Sequence, residues 1–203
     1  MSAYPPLRLS APSRTDAVVV DTPVVLAPMA GITNRAFRQL CAEQGAGLYV
    51  CEMLTSRGIV IQDRKTKQML GFAPNETVRS VQTYGADPAM VARATEVLCD
   101  QYQVDHVDLN FGCPVPKVTR KGGGGALPWK RDRMRLILRA AVQAADKYGV
   151  PATMKTRIGI DDDHHTFLDA GRIAQEEGIA AICLHARTVA DAYSGEAKWD
   201  HIS

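Results

Sequence analysis

Cys113 is the side chain whose type and setting best suit proton-transfer or covalent chemistry. It sits in Asn110-Phe111-Gly112-Cys113-Pro114, after an apolar-rich run, His106 to Leu109, that carries the charged Asp108. Three cations follow, Lys117, Arg120 and Lys121, and then four consecutive glycines, Gly122 to Gly125. Four glycines in a row cost folding entropy and bury no side chain. The expectation is a backbone that approaches something closely, and the neighbouring cations point to an anion. A free thiol is most often a buried structural group. Between glycine and proline, at a strand end in a polar loop, it reads instead as a reactive one.

Other polar residues also close apolar runs. Pro28 and Met29 follow Val24 to Ala27, Glu52 follows Leu48 to Cys51, and Gln82 finishes the alternating stretch Thr77 to Thr83. Lys155 ends Ala152 to Lys155, and His185 follows Ile179 to Leu184. A lysine aimed into a recess is best explained by an anionic partner. Met29 reads equally as core, Gln82 as a strand cap, and His185 as a hydrogen-bonded core histidine. Asp161 to His165 superficially suggests a metal site. The ligands crowd in sequence and no second cluster exists, so a solvated loop capping the next helix is the better reading.

These positions must be held by alternating elements. Thr33 or Asn34 caps a helix running to about Gln44, and Asp87-Pro88 opens one running to about Gln101. Helices are also expected around Ile59 to Leu70, over Arg133 to Tyr148 with Gly149 as the stop, and over Asp163 to Glu177. Ala17 to Val20 and Val24 to Ala27 suggest a small hairpin or a lead-in to the first strand. Strand and helix alternate six times, which indicates parallel strands with right-handed crossovers in an α/β fold. An open doubly wound sheet gathers its ligand residues near one switch point. Here every strand end contributes a special residue, as in the mouth of a (β/α)8 TIM barrel. Such a barrel takes about 250 residues, and six strands are counted, so the expectation is an incomplete barrel over residues 17–203 behind a loose arm at 1–16. An open sheet of this kind leaves two edges unpaired.

The chain has 203 residues, 46% hydrophobic, and a formal net charge of +2. The total does not announce nucleic acid, but its distribution says more: between Lys117 and Arg139 eight cations face one acid, Asp132. Such a field can attract phosphates; the alternative is a solvated helix face with an unusual bias. The five cysteines form no CxxC pair, so neither a disulfide framework nor a zinc site is expected. The N-terminal residues lack the apolar core of a signal peptide, and no run approaches the roughly 18 apolar residues that span a membrane. A cytoplasmic protein with no membrane partner and no metal is expected.

Taken together, APMAGITNRAFR (27–38), Gln82 after a strand, DLNFGCPVPKVTRKGGGGAL (108–127), MKTRIG (154–159) and LHART (184–188) resemble the tRNA-dihydrouridine synthases. The likeness runs from about residue 22 to 203. It implies an FMN-binding TIM barrel that reduces the C5–C6 double bond of uridine in tRNA, with NADPH or NADH as reductant. By resemblance the reduced flavin delivers hydride to C6 and Cys113, as general acid, protonates C5. The backbone of Pro28, Met29 and Ala30 would lie along the flavin. Gln82 would bond its ring, Lys155 would meet its pyrimidine edge or ribityl region, and His185 would donate to it. Asn110 would bridge flavin and substrate base. Lys117, Arg120 and Lys121 would meet tRNA phosphate or the extruded nucleotide, with Arg157 and Arg187 as further candidates. The family's seventh and eighth strand loops, which commonly hold the cofactor phosphate, and its helical domain are expected to be missing. Such a chain by itself is expected to bind FMN poorly and turn over little or not at all. Two other readings stand beside this one: another FMN barrel such as a dihydroorotate dehydrogenase, or a catalytically inactive barrel that only binds RNA.

Overall fold

The computed structural model of the chain describes residues 4–45 and 47–202. Two short strands, β1 (Leu7–Leu9) and β2 (Val18–Val20), pair antiparallel. Six parallel strands then form one sheet: β3 (Val25–Leu26), β4 (Leu48–Thr55), β5 (Ser80–Tyr84), β6 (His106–Phe111), β7 (Ala152–Arg157) and β8 (Ile182–His185). Their spatial order is their chain order. The helices between them are α1 (Arg35–Glu43), α2 (Ser56–Ile61), α3 (Arg64–Met69), α4 (Pro88–Gln101), α5 (Pro116–Thr119), α6 (Arg131–Asp146) and α7 (Phe167–Glu176). The sheet curls so far that Val25 of its first strand, with Ala27 just after it, lines the same cavity, of about 200 Å³, as Ile182 and Cys183 of its last, with Ala181 just before them. This is six-eighths of a TIM barrel, as the strand count implies.

Local sequence sets the elements. Asn34 caps α1 by accepting from the Phe37 amide, and Asp87 caps α4 by accepting from Met90, with Pro88 in the first turn. Helix α6 buries Met134, Ile137, Leu138, Ala141, Val142 and Ala145, the spacing of one helical face. That face packs on the outer side of the sheet, where Leu109, Phe111 and Met154 join it in one cluster. Each such side chain contributes roughly 1.5–3 kcal/mol by leaving water.

The floor is built differently. Leu9 and Val20 of the antiparallel pair pack on Leu48 and Val50, which turns the N-terminal segment into a plug. The arm expected to be loose over residues 1–16 instead holds a strand, Leu7–Leu9, and packs inward at Leu9 and Ala11, both buried, before an exposed turn at Pro12 and Ser13. Ser13 ties it further by two hydrogen bonds to Asp146 at the end of α6. Residues 1–3 lie outside the described residues. The expected hairpin partner of β2 is β1, while Val25–Leu26 opens the parallel sheet. The helix expected around Ile59 to Leu70 is two helices. Gln62 adopts a left-handed conformation (φ 51°) between them, and Asp63 caps the second.

Candidate functional site

Side chains alternate across a strand, and laterally paired residues share a face. The inward face of the sheet is polar and stacks in tiers. Ser80 pairs in register with His106, Gln82 with Asp108 and Thr153, Asn110 with Lys155 and Cys183, and Arg157 with His185. Ser80, Gln82, His106, Asp108, Asn110 and Thr153 are all buried. Buried polar groups need partners, and these supply one another. Asp108 accepts from Gln82 Nε2 at 2.6 Å and from Thr153 Oγ1 at 2.5 Å. Gln82 Oε1 accepts from Asn110 Nδ2 at 2.8 Å.

Asn110 then holds the thiol's peptide: its Oδ1 accepts from the Cys113 amide at 2.8 Å and the Gly112 amide at 3.2 Å. Arg157 Nε donates to the Gly112 carbonyl at 2.8 Å, and the Cys113 carbonyl accepts from Gly125 at 3.0 Å. Cys113 is a free thiol, 9% exposed, fixed by its backbone on every side. The glycine run explains part of this. A side chain at Gly124, which sits at φ +55°, would stand 2.7 Å from the Cys113 carbonyl; at Gly125 it would meet Val189 at 2.5 Å. The close approach expected of these glycines is thus to the chain itself. The amides of Gly122, Gly123 and Gly125 are bonded to Thr119, Val118 and Cys113, so they form no anion cradle.

Beside Asn110, Lys155 is half-buried at the mouth, and burial lowers its pKa despite the pull of Cys183 and Asp108 the other way. Among the described residues its ammonium is in no ion pair. His185 is pushed down to about 4 by burial and by Arg157, Lys155 and Arg187 around it. Arg187 can only donate, at 3.2 Å to His185 Nε2, so the neutral ring carries its proton on Nδ1. Pro28 is half-buried, and Met29 and Ala30 are exposed, on a loop closed by hydrogen bonds between Met29 and Thr33 and from the Gly31 amide to Glu52.

Two of the proposed RNA contacts are placed differently from what the sequence leads one to expect. Arg157 is 3% exposed, and its guanidinium is committed to the carbonyls of Gly112, Thr188 and Ala192. It braces the loops after β6 and β8 and offers no face to a phosphate. Arg187 is half-buried and bonded to His185 and the Gly195 carbonyl, while its Nε is a buried donor with no partner among the described residues. Lys117, Arg120 and Lys121 are exposed. The cations of α6 are not a free field: Arg131 pairs with Asp169, Arg135 with Glu176 and Glu177, and Arg139 with Glu177.

The loop Asp161 to His165 is exposed, and Asp161 accepts from the Asp163 amide and from His164 within its own turn. It caps that turn and not α7, whose first residue follows Thr166 without a side-chain cap.

Several supporting residues carry no obvious chemical signature in the sequence. Arg38, fully buried in α1, pairs with buried Glu76 at 2.7 Å and holds the carbonyls of Thr33 and Gly71. It thereby anchors the Pro28–Thr33 loop. His106, Thr153 and Ser80 complete the buried tiers; His106 and Asp108 stand four and two residues before Asn110, the period that places all three on one face.

Comparison with known proteins places the sequence in a family. The family model for dihydrouridine synthases matches residues 25–203. A probable tRNA-dihydrouridine synthase of Mycobacterium tuberculosis (strain ATCC 25618 / H37Rv) is 51% identical over 197 residues, covering 94% of this chain and 51% of that protein. The corresponding protein of Mycobacterium leprae is 49% identical over 205 residues, 88% of this chain and 53% of that protein. The tRNA-dihydrouridine synthase B of Vibrio vulnificus is 40% identical over 183 residues, 88% and 54% respectively. The chain spans about half the length of the curated relatives it matches. With the matched region running from the first parallel strand through the last, and the thiol, asparagine and lysine gathered inside it, the chain belongs to the dihydrouridine synthase family.

Proposed function

We propose that this chain carries the uridine-reducing centre of a tRNA-dihydrouridine synthase, with Cys113 as the proton donor to C5 of the uracil ring. The observation that carries the reading is the polar tier at the mouth: a backbone-fixed thiol beside Asn110 and an ion-pair-free Lys155. These residues suit FMN. Lys155 offers a cation to the electron-rich pyrimidine edge or ribityl region, His185 offers Nδ1–H, and the Pro28–Ala30 backbone offers a rim, while Gln82, fully buried with its amide bonded to Asp108 and Asn110, supports Asn110 from within the sheet. FMN held there and reduced by NADPH or NADH would supply the hydride for C6. The chain's own residues do the rest. Asn110, its amide oriented by Gln82, holds the Cys113 peptide. Gly124 and Gly125 pack against the Cys113 peptide and its surroundings at distances that admit no side chain. Lys117, Arg120 and Lys121 attract the phosphates flanking a uridine that has left its stack.

The decisive assay uses tRNA lacking dihydrouridine, with FMN and NADPH. Dihydrouridine formation that disappears in Cys113→Ala supports the reading. Oxidation of dihydroorotate in place of uridine reduction would replace it with the small-substrate flavin barrel.

A further inference from the structure

The proposed chemistry leaves the lower tiers of the interior unexplained. Beside Gln82, Asp108 connects through Thr153 to His106 in the tier below, whose Nε2 lies 2.8 Å from Thr153 Oγ1 and whose Nδ1 lies 2.7 Å from Ser80 Oγ. One hydrogen-bonded line therefore runs from Ser80 on the floor to the Cys113 peptide at the mouth, through buried groups throughout.

Donor and acceptor roles along this line are dictated by its fixed groups. The Cys113 amide can only donate, so the Asn110 atom it meets is oxygen, and Asn110 Nδ2 must donate to Gln82 Oε1. Gln82 then presents its own NH2 to Asp108. An ionised Asp108 only accepts, so Thr153 spends its proton on it, Thr153 Oγ1 accepts from His106 Nε2–H, and Nδ1 accepts from Ser80. Every partner is satisfied in this one arrangement. His106 is held neutral, its pKa lowered by burial to about 4, which fits a single-tautomer ring. Burial pulls the Asp108 pKa up, while Thr153, Gln82 and the Lys155 cation favour its charge.

We propose that Asp108 is a positioning residue for Cys113: it fixes the amide of Gln82, which fixes that of Asn110, whose oxygen sets the peptide that carries the thiol. Asp108 touches neither the thiol nor any group at the mouth directly; it acts two side chains away. The consequence for catalysis rests on the proton-donor reading of Cys113, whereas the positioning does not.

Three substitutions separate the links. Asp108→Asn can still accept from Gln82, provided its NH2 turns to Thr153. Thr153 must then donate to His106 Nε2, and the ring proton moves to Nδ1. Asp108→Leu leaves Gln82 without an acceptor. Thr153→Val cuts the line below Asp108 only. Nitrogen NMR of the full chain reads the His106 tautomer, and amide hydrogen exchange reads the Cys113 hydrogen bond. Asp108→Asn is expected to move the tautomer from Nε2–H to Nδ1–H while Cys113 exchange stays within about twofold. Asp108→Leu is expected to speed Cys113 exchange about tenfold, the loss of one buried hydrogen bond's protection. Thr153→Val is expected to leave it unchanged.

A folded Asp108→Leu with unaltered Cys113 exchange overturns the proposal. If the Leu variant does not fold, the Asn variant decides alone: an unmoved tautomer, or tenfold faster Cys113 exchange, overturns it. Loss of Cys113 protection with undiminished uridine reduction would retire the proton-donor role and leave the positioning intact.

Discussion

Along β6, His106, Asp108 and Asn110 alternate with Val107, Leu109 and Phe111, and all six are buried. The two rows are nevertheless different in kind. The outer row joins the apolar clusters beneath α4 and α6. The inner row satisfies itself by hydrogen bonds and leads to Cys113. Burial therefore does not separate scaffold from site in this sheet; polarity at period two does. The outer row should govern whether the chain folds, and the inner row what the folded chain can do.

The largest expected effect tests the inner row. Cys113→Ala should lower the rate of dihydrouridine formation by about 10²–10⁴-fold, the usual worth of a positioned proton donor. Its urea unfolding midpoint should stay close to that of the parent. Next comes the outer row: Leu109→Ala should cost about 2–5 kcal/mol of stability, read from the same unfolding curve. A Leu109→Ala protein that kept full stability would break the comparison.

His106 gives a smaller, pH-dependent effect. The unfolded chain takes up the ring proton near 6.5, while the folded chain resists it down to about 4. Wild type should therefore lose stability as pH falls through that window, by an amount on the order of 3 kcal/mol at most. His106→Asn lacks this loss, so the stability gap between the two should narrow towards acid pH. The raised pKa of Asp108 acts in the opposite direction, but it is common to both proteins.

The smallest effects divide the basic stretch. Replacing Lys117, Arg120 and Lys121 with alanine should flatten the salt dependence of tRNA affinity by about two to three in log–log slope. Replacing Arg135 and Arg139 should change it less, because their charges already meet Glu176 and Glu177. The cost in stability there should be small, because exposed ion pairs are screened by solvent. Equal slopes for the two sets would show that the α6 pairs open to RNA.

Much of this was legible in the sequence. Asn34, Asp87 and Pro88 announce their helices, and the polar residue closing each apolar run marks the mouth. What escaped has physical causes. The strand at Leu7–Leu9 is hidden by Pro5, Pro6 and Pro12, which read as loop. Arg38 looks like an exposed helix residue, because its buried partner Glu76 lies 38 positions away. The cations of α6 read as a free field for the same reason, their acids lying on α7. The four glycines read as an anion cradle, since nothing local reveals that Cys113 packs against them.

The chain-order arrangement of the sheet also bears on how the fold is assembled. Each parallel strand pairs only with its sequence neighbour, so the sheet can grow one unit at a time from the N-terminus, as it would during synthesis. The peptide of Cys113 gains its Asn110 bonds as soon as β6 docks, but the Arg157 brace waits for β7 and for the segment at Thr188 and Ala192. A nascent chain paused before that segment would carry the thiol on a loop braced from one side only. The reactive group thus reaches its final setting late, after most of the apolar core that supports it has formed.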